Sequence, residues 1–218
     1  MTFENRRFLR TWATSLVLVT ALGAGLSACA PLLFGGAAVG ALMATDRRTS
    51  GAQIEDEGIE LRSASRVRDS LVDRAHVNIT SYNRQVLLTG EVPTAQDKQL
   101  VEQIVSRVDN VRSIVNELAV LGNTSLAQRS SDSLVTGKVK AAMVDAKDLF
   151  ANAFKVVTER GTTYLMGRVS QREGDRATEI ARGTSGVLKV VRIFETVGDE
   201  ELKQLLPASA PAPVQTKQ

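Results

Sequence analysis

The 218 residues include one cysteine, Cys29, and one histidine, His76, and only 4% of them are aromatic. Each scarcity excludes something. A single thiol closes no disulfide within the chain, so stability must come from packing. With no second histidine and no spare thiol, nothing is left to build a metal site or a nucleophile pair. His76, at a predicted strand start, reads as a solvated or edge residue rather than a base. No Gly-x-x-x-x-Gly-Lys phosphate loop is present. The acidic residues fall on predicted helix surfaces and turns, and Glu55, Asp56 and Glu57, in a stretch read as linker, look like solvation. No catalytic residue, metal ligand or cofactor is expected. Nor is nucleic acid, because the formal charge of +3 is not gathered into a basic stripe with stacking aromatics.

The apolar residues are concentrated at the start. Arg6, Arg7 and Arg10 precede an apolar stretch from Trp12 to about Leu22, the layout of a secretory signal. That stretch is shorter than the roughly 20 residues of a membrane span. Leu26-Ser27-Ala28-Cys29 then resembles the lipobox of bacterial lipoproteins, in which the cysteine is acylated and becomes the new N-terminus. Removal of residues 1–28 takes away three arginines and Glu4 and leaves a mature chain near +1. Resemblance to the class implies three acyl chains on Cys29, an anchor that is effectively permanent. Ala30, where Asp would retain the protein at the inner membrane, implies the outer one. Residues 30–44 are apolar and glycine-rich and read as a membrane-proximal segment. A continuous apolar helix over 12–44 is the competing arrangement, interrupted by Gly23, Gly25, Pro31, Gly35 and Gly36.

The middle of the chain repeats itself. Residues 66–73, Arg-Val-Arg-Asp-Ser-Leu-Val-Asp, align with 138–145, Lys-Val-Lys-Ala-Ala-Met-Val-Asp, at a shift of 72. Leu88-Thr89-Gly90-Glu91-Val92 aligns with Leu165-Met166-Gly167-Arg168-Val169 at 77, and Val111, Ile114, Val115 and Leu118 align with Val187, Val190, Val191 and Phe194 at 76. On that alignment the second copy carries about five extra residues before its first strand.

Each copy reads helix, strand, strand, helix, strand. In the first, Ala64, Val67, Leu71 and Val72 recur at helical spacing, and strands are predicted over 76–81 and 85–92 around Tyr82-Asn83-Arg84. Thr94 is a candidate N-cap for a helix whose apolar face is Leu100, Val101, Ile104, Val105 and Val108, and a strand follows over 111–120. In the second, strands are expected over 154–159 and 162–169 with Arg160-Gly161 at the turn, a helix over 171–182 ending at Gly183, and a strand over 188–197. The fold class is α+β: two tandem two-layer modules, each a three-stranded sheet with two helices on one face. Gly90 and Gly167 point to close backbone approach or an unusual turn.

This order, with its paired Leu-x-Gly-x-Val strand ends, resembles the BON domain over residues 61–121 and 132–198. With Thr45-Asp46-Arg47-Arg48-Thr49-Ser50-Gly51-Ala52-Gln53 behind a lipobox, the chain resembles the dual-BON outer-membrane lipoproteins, relatives of the osmotically inducible periplasmic protein. The resemblance implies phospholipid binding, a role in outer-membrane integrity and, in some members, a place at the division site. The expected division is a signal over 1–28, a lipidated linker over 29–60, the two modules with a linker over 122–131 between them, and a disordered tail over 199–218.

The helix expected over 132–150 offers a binding face. Val135, Val139, Ala142, Met143, Ala146 and Phe150 share a wide face expected to pack on the sheet. Leu134, Gly137, Ala141 and Val144 form a second apolar stripe rimmed by Lys138, Lys140 and Lys147, which suits anionic phospholipid. The alternative is that Leu134 and Val144 pack against the first module. Function divides accordingly between a lipid-binding envelope-maintenance protein and a protein-binding adaptor for outer-membrane assembly or division machinery.

Overall fold

A computed structural model describes residues 46–72, 74–198 and 200–202. The expected signal, Cys29, residues 30–44 and the tail beyond 202 lie outside the described residues. The first module comprises α1 (Ser50–Leu71), β1 (His76–Tyr82), β2 (Gln85–Val92), α2 (Ala95–Ser106), β3 (Ser113–Asn116) and β4 (Ala119–Val120). The second comprises α3 (Leu126–Asp145), a 3-10 turn (Ala151–Ala153), β5 (Phe154–Glu159), β6 (Thr162–Val169), α4 (Gln171–Gly183) and β7 (Lys189–Thr196).

Both sheets follow one plan. An antiparallel hairpin, β1-β2 or β5-β6, is followed by a helix that returns the chain to lie parallel beside the second hairpin strand. In the first module the closing strand is split: β3 pairs with the start of β2 and β4 with its end. The hairpin turns, Asn83-Arg84 and Arg160-Gly161, hold both central residues at positive φ. Two-residue turns of that kind match the natural twist of the strands. Gly90 has φ +106, and a Cβ there would lie 2.0 Å from the carbonyl oxygen of His76. Backbone approach across the hairpin is thus what demands glycine.

Each helix that opens a module carries a buried carboxylate aimed at its hairpin turn. Asp56 accepts from the amides of Asn83 and Arg84 at 2.7 and 2.8 Å, and Asp132 from those of Arg160 and Gly161 at 2.9 and 3.0 Å. These aspartates stand 76 apart, as do the N-caps Thr49 and Ser125 and the later caps Thr94 and Ser170. The helices are therefore related by the same shift as the closing strands, and the alignment at 72 is one helical turn out of register. A slip of four residues turns a helix by only about 40°, so the apolar pattern survives it. The five extra residues reduce to one, since the hairpin strands stay at 77.

The caps also set the helix starts. Thr49 accepts from Ala52 N and Ser125 from Gln128 N, so α1 and α3 begin inside segments read as linker. At the far end of α1, Val72 does not join the core. It is 68% exposed at φ 39 and caps the helix in the left-handed region. Past β7, residues 200–202, expected to belong to a structureless tail, are helical, with Leu202 N donating to Gly198 O.

Helices cover one face of each sheet. Ile59, Val67, Leu71, Val101 and Val105 pack on Val86, Leu88 and Val92, while Val135, Val139, Met143, Ala177 and Ala181 pack on Val156, Leu165 and Val169. The two helix-free faces meet each other within the unit Thr45–Gln218, burying Tyr82, Leu87, Tyr164, Met166 and Ile193 in a third cluster. Tyr82 Oη donates to the carbonyl of Ala153 across this seam at 3.2 Å, and burial pushes its pKa up to about 12.

Candidate functional site

The second stripe of α3 faces solvent. Leu134 and Val144 are each 68% exposed, a Cβ on Gly137 would meet nothing within 4 Å, and Ala141 is exposed. Lys138 and Lys140 stand exposed beside them on the helix, and Lys147 is exposed in the turn past its end. Leu134 and Val144 are not packed against the first module. Because α3 starts at Leu126, that exposed leucine joins the same line at 100° per residue. From Leu126 to Val144 the stripe runs for about 27 Å. A sequence reading that begins the helix at 132 misses Leu126, and only the Ser125 cap could have revealed it.

The opposite side of α3 fixes this orientation. Val135, Val139 and Met143 are buried in the core, so the helix cannot roll its stripe inward. Phe150 departs from expectation. The helix ends at Asp145, Leu149 takes the core position, and Phe150 is 48% exposed under the guanidinium of Arg47.

The segment just before α1 straps the two modules. Arg47 forms a buried bidentate pair with Glu173 of α4, at 2.6 and 2.9 Å, and donates to the carbonyl of Arg168. Arg48 turns the other way, pairing with Asp56 at 2.8 Å and lying over the Tyr82 ring. Asp56, expected to be solvated, is 1% exposed. Burial alone would raise its pKa, but hydrogen bonds from Ser81, the Arg84 amide and Arg48 outweigh that and hold it below the ordinary value. Glu173 follows the same pattern: burial opposes ionisation, while Arg47 and Ser170 hold the pKa down. Adjacent arginines that reach different modules explain this polar run in a way that spacing alone does not reveal.

His76 opens the edge strand β1, where the sequence puts it, and its Nδ1 lies 3.0 Å from Glu91 Oε2. Burial works against the Glu91 carboxylate, yet hydrogen bonds from His76 and Thr124 keep its pKa low.

Comparison with known proteins agrees with this architecture. The BON domain family matches residues 55–122 and 131–197. The chain is 38% identical over 172 residues to the outer membrane lipoprotein DolP of Haemophilus influenzae, covering 78% of this chain and 89% of that one. It is 32% identical over 154 residues to a 21 kDa hemolysin of Actinobacillus pleuropneumoniae, with 70% and 79% covered. The osmotically-inducible protein Y of Escherichia coli shares 38% identity over 60 residues, 27% of this chain and 30% of that one. Two BON modules in tandem, with relatives that span both of them, place the chain in the family of dual-BON outer-membrane lipoproteins.

Proposed function

We propose that the protein is a non-catalytic lipoprotein of the outer membrane that lays α3 of its second BON module on anionic phospholipid and helps maintain membrane integrity. The exposed line of Leu126, Leu134, Gly137, Ala141 and Val144 with its lysine rim carries this reading. A solvated helix has no need of such a line. Small residues at 137 and 141 let the helix approach a surface closely, and each lysine near an anionic bilayer contributes about 1 kcal/mol. Acyl chains on Cys29 would hold the chain at the membrane and leave α3 to find the headgroups. Mass spectrometry of the protein from its host should find that sulfur acylated and residues 1–28 gone.

The direct test is Leu134→Glu with Val144→Glu, assayed by sedimentation with phosphatidylglycerol vesicles in a background that lacks acylation. Binding should fall by at least about tenfold, since each side chain gives up roughly 1.5–3 kcal/mol of burial. Unchanged binding by the folded variant would remove the proposal.

A second reading, an adaptor for outer-membrane assembly or division proteins, has its own support. Ile54 and Leu61 are exposed one heptad apart on α1, in the other module from the lysine-rimmed stripe. Crosslinking in cells through position 54 should capture a protein partner on this reading, and Leu61→Glu should abolish it while vesicle binding stays unchanged.

A further inference from the structure

The seam holds a polar cluster that lipid contact does not use. His76 opens β1 and stands opposite Glu91 of β2, while Glu159 ends β5 in the other module. His76 Nδ1 lies 3.0 Å from Glu91 Oε2 and 3.9 Å from Glu159 Oε1, and one ligand atom from each of the three falls within 4.8 Å of the others.

Positive charge is sparse in the cluster, with one arginine against two carboxylates. Glu91 is fully buried and Glu159 is 7% exposed. Arg160 reaches Glu91 Oε1 only at 3.5 Å from a half-exposed position, and Thr124 adds neutral donors to Oε2. Glu159 accepts one hydrogen bond, from Asn78 to Oε2 at 2.7 Å. Its Oε1 faces the imidazole beyond hydrogen-bond distance, and no other described residue donates to it. The carboxylate of Glu159, a residue 7% exposed, thus turns one oxygen toward the imidazole Nδ1 at 3.9 Å.

We propose that His76, Glu91 and Glu159 bind one divalent transition-metal ion of the zinc class, which staples the two BON modules together. Zinc bonds of about 2.0–2.2 Å set tetrahedral neighbours roughly 3.4 Å apart, a separation that the two measured distances bracket. Calcium and magnesium are disfavoured, since they demand six or more oxygens and this site offers an imidazole and two carboxylates. The ion takes the Nδ1 lone pair of an imidazole whose one remaining proton sits on Nε2, and any second proton on the ring leaves to solvent, so affinity should fall in acid. Asn78, which donates to Glu159 Oε2 at 2.7 Å, orients that carboxylate from outside the ligand set. Two ligands come from the first module and one from the second, so the site exists only while the modules are docked.

The test uses the full chain in detergent, with Cys29→Ser to remove the one thiol, stripped with chelator and titrated with zinc chloride by calorimetry. One ion per chain should bind, and Glu159→Gln and His76→Gln should each weaken it by about tenfold or more. Because the chain has one histidine, nitrogen NMR of labelled imidazole reads the site directly. Zinc should shift Nδ1 in the unmutated cluster, whether or not a variant folds. A silent Nδ1 at saturating zinc, or affinity unchanged in both variants, overturns the proposal and leaves only adventitious surface binding.

Discussion

At the scale of single residues, Asp56 and Asp132 do for each module what a turn cannot do for itself: they satisfy both left-handed amides from a helix in the opposite layer. The two differ in partner. Asp56 also holds Arg48 and Ser81, whereas Asp132 has the neutral side chain of Gln128. Asp56→Asn removes one of the two carboxylates that hold Arg48, Asp46 being the other at 2.7 Å, and weakens the turn and Ser81 bonds, and should cost about 3 kcal/mol. Asp132→Asn should cost about 1–3 kcal/mol, the usual penalty for poorly satisfied buried groups. Urea midpoints of the two variants check the order. The pH dependence has a definite sign. The folded-state pKa values of Asp56 and Glu173 lie below their ordinary values, so as pH falls the unfolded chain takes up protons first. The stability they contribute is full above about pH 5 and is lost as pH drops through the folded-state values. Asp56→Asn should flatten that acid limb.

At the scale of elements, most boundaries were legible because they are written in local chemistry. Both hairpins stand where alternation and the Asn-Arg and Arg-Gly pairs put them, and Thr94 caps α2 as its spacing with Asp97 implies. The register between α1 and α3 was not legible. Apolar periodicity repeats almost unchanged after one turn, so it fixes a face and leaves the axial position free. What fixes that position is a single polar anchor, and a buried aspartate looks like a solvated one until the hairpin turn is in place. Val72 shows the same limit, since its spacing extends the core face while its backbone has already left the helix. A β-branched residue at positive φ is strained. Val72→Gly should stabilise the protein by about 1 kcal/mol, through relief of that strain at an exposed cap. An increase in melting temperature of a few degrees would show it, and a decrease would mean that the exposed valine has a partner.

At the scale of the whole molecule, the seam between the modules has a trace in the sequence. Val86-Leu87-Leu88 and Tyr164-Leu165-Met166 break strict alternation with three consecutive apolar residues, the mark of strands buried on both faces. One face meets helices and the other meets the second sheet. Met166 is fully buried in the seam and contributes to neither helix-covered core, so Met166→Asp separates two properties of the fold. A charge placed there without a partner is costly to bury, and parting the sheets exposes it to water while both cores stay closed. Small-angle scattering should report a larger radius of gyration with far-UV circular dichroism unchanged. The α3 stripe points away from the sheet, so phosphatidylglycerol binding by this variant should persist. Zinc binding should be lost, because Glu159 leaves with the second module. Loss of vesicle binding together with zinc binding would mean that lipid recognition needs the docked pair, and α3 alone could not then be the contact.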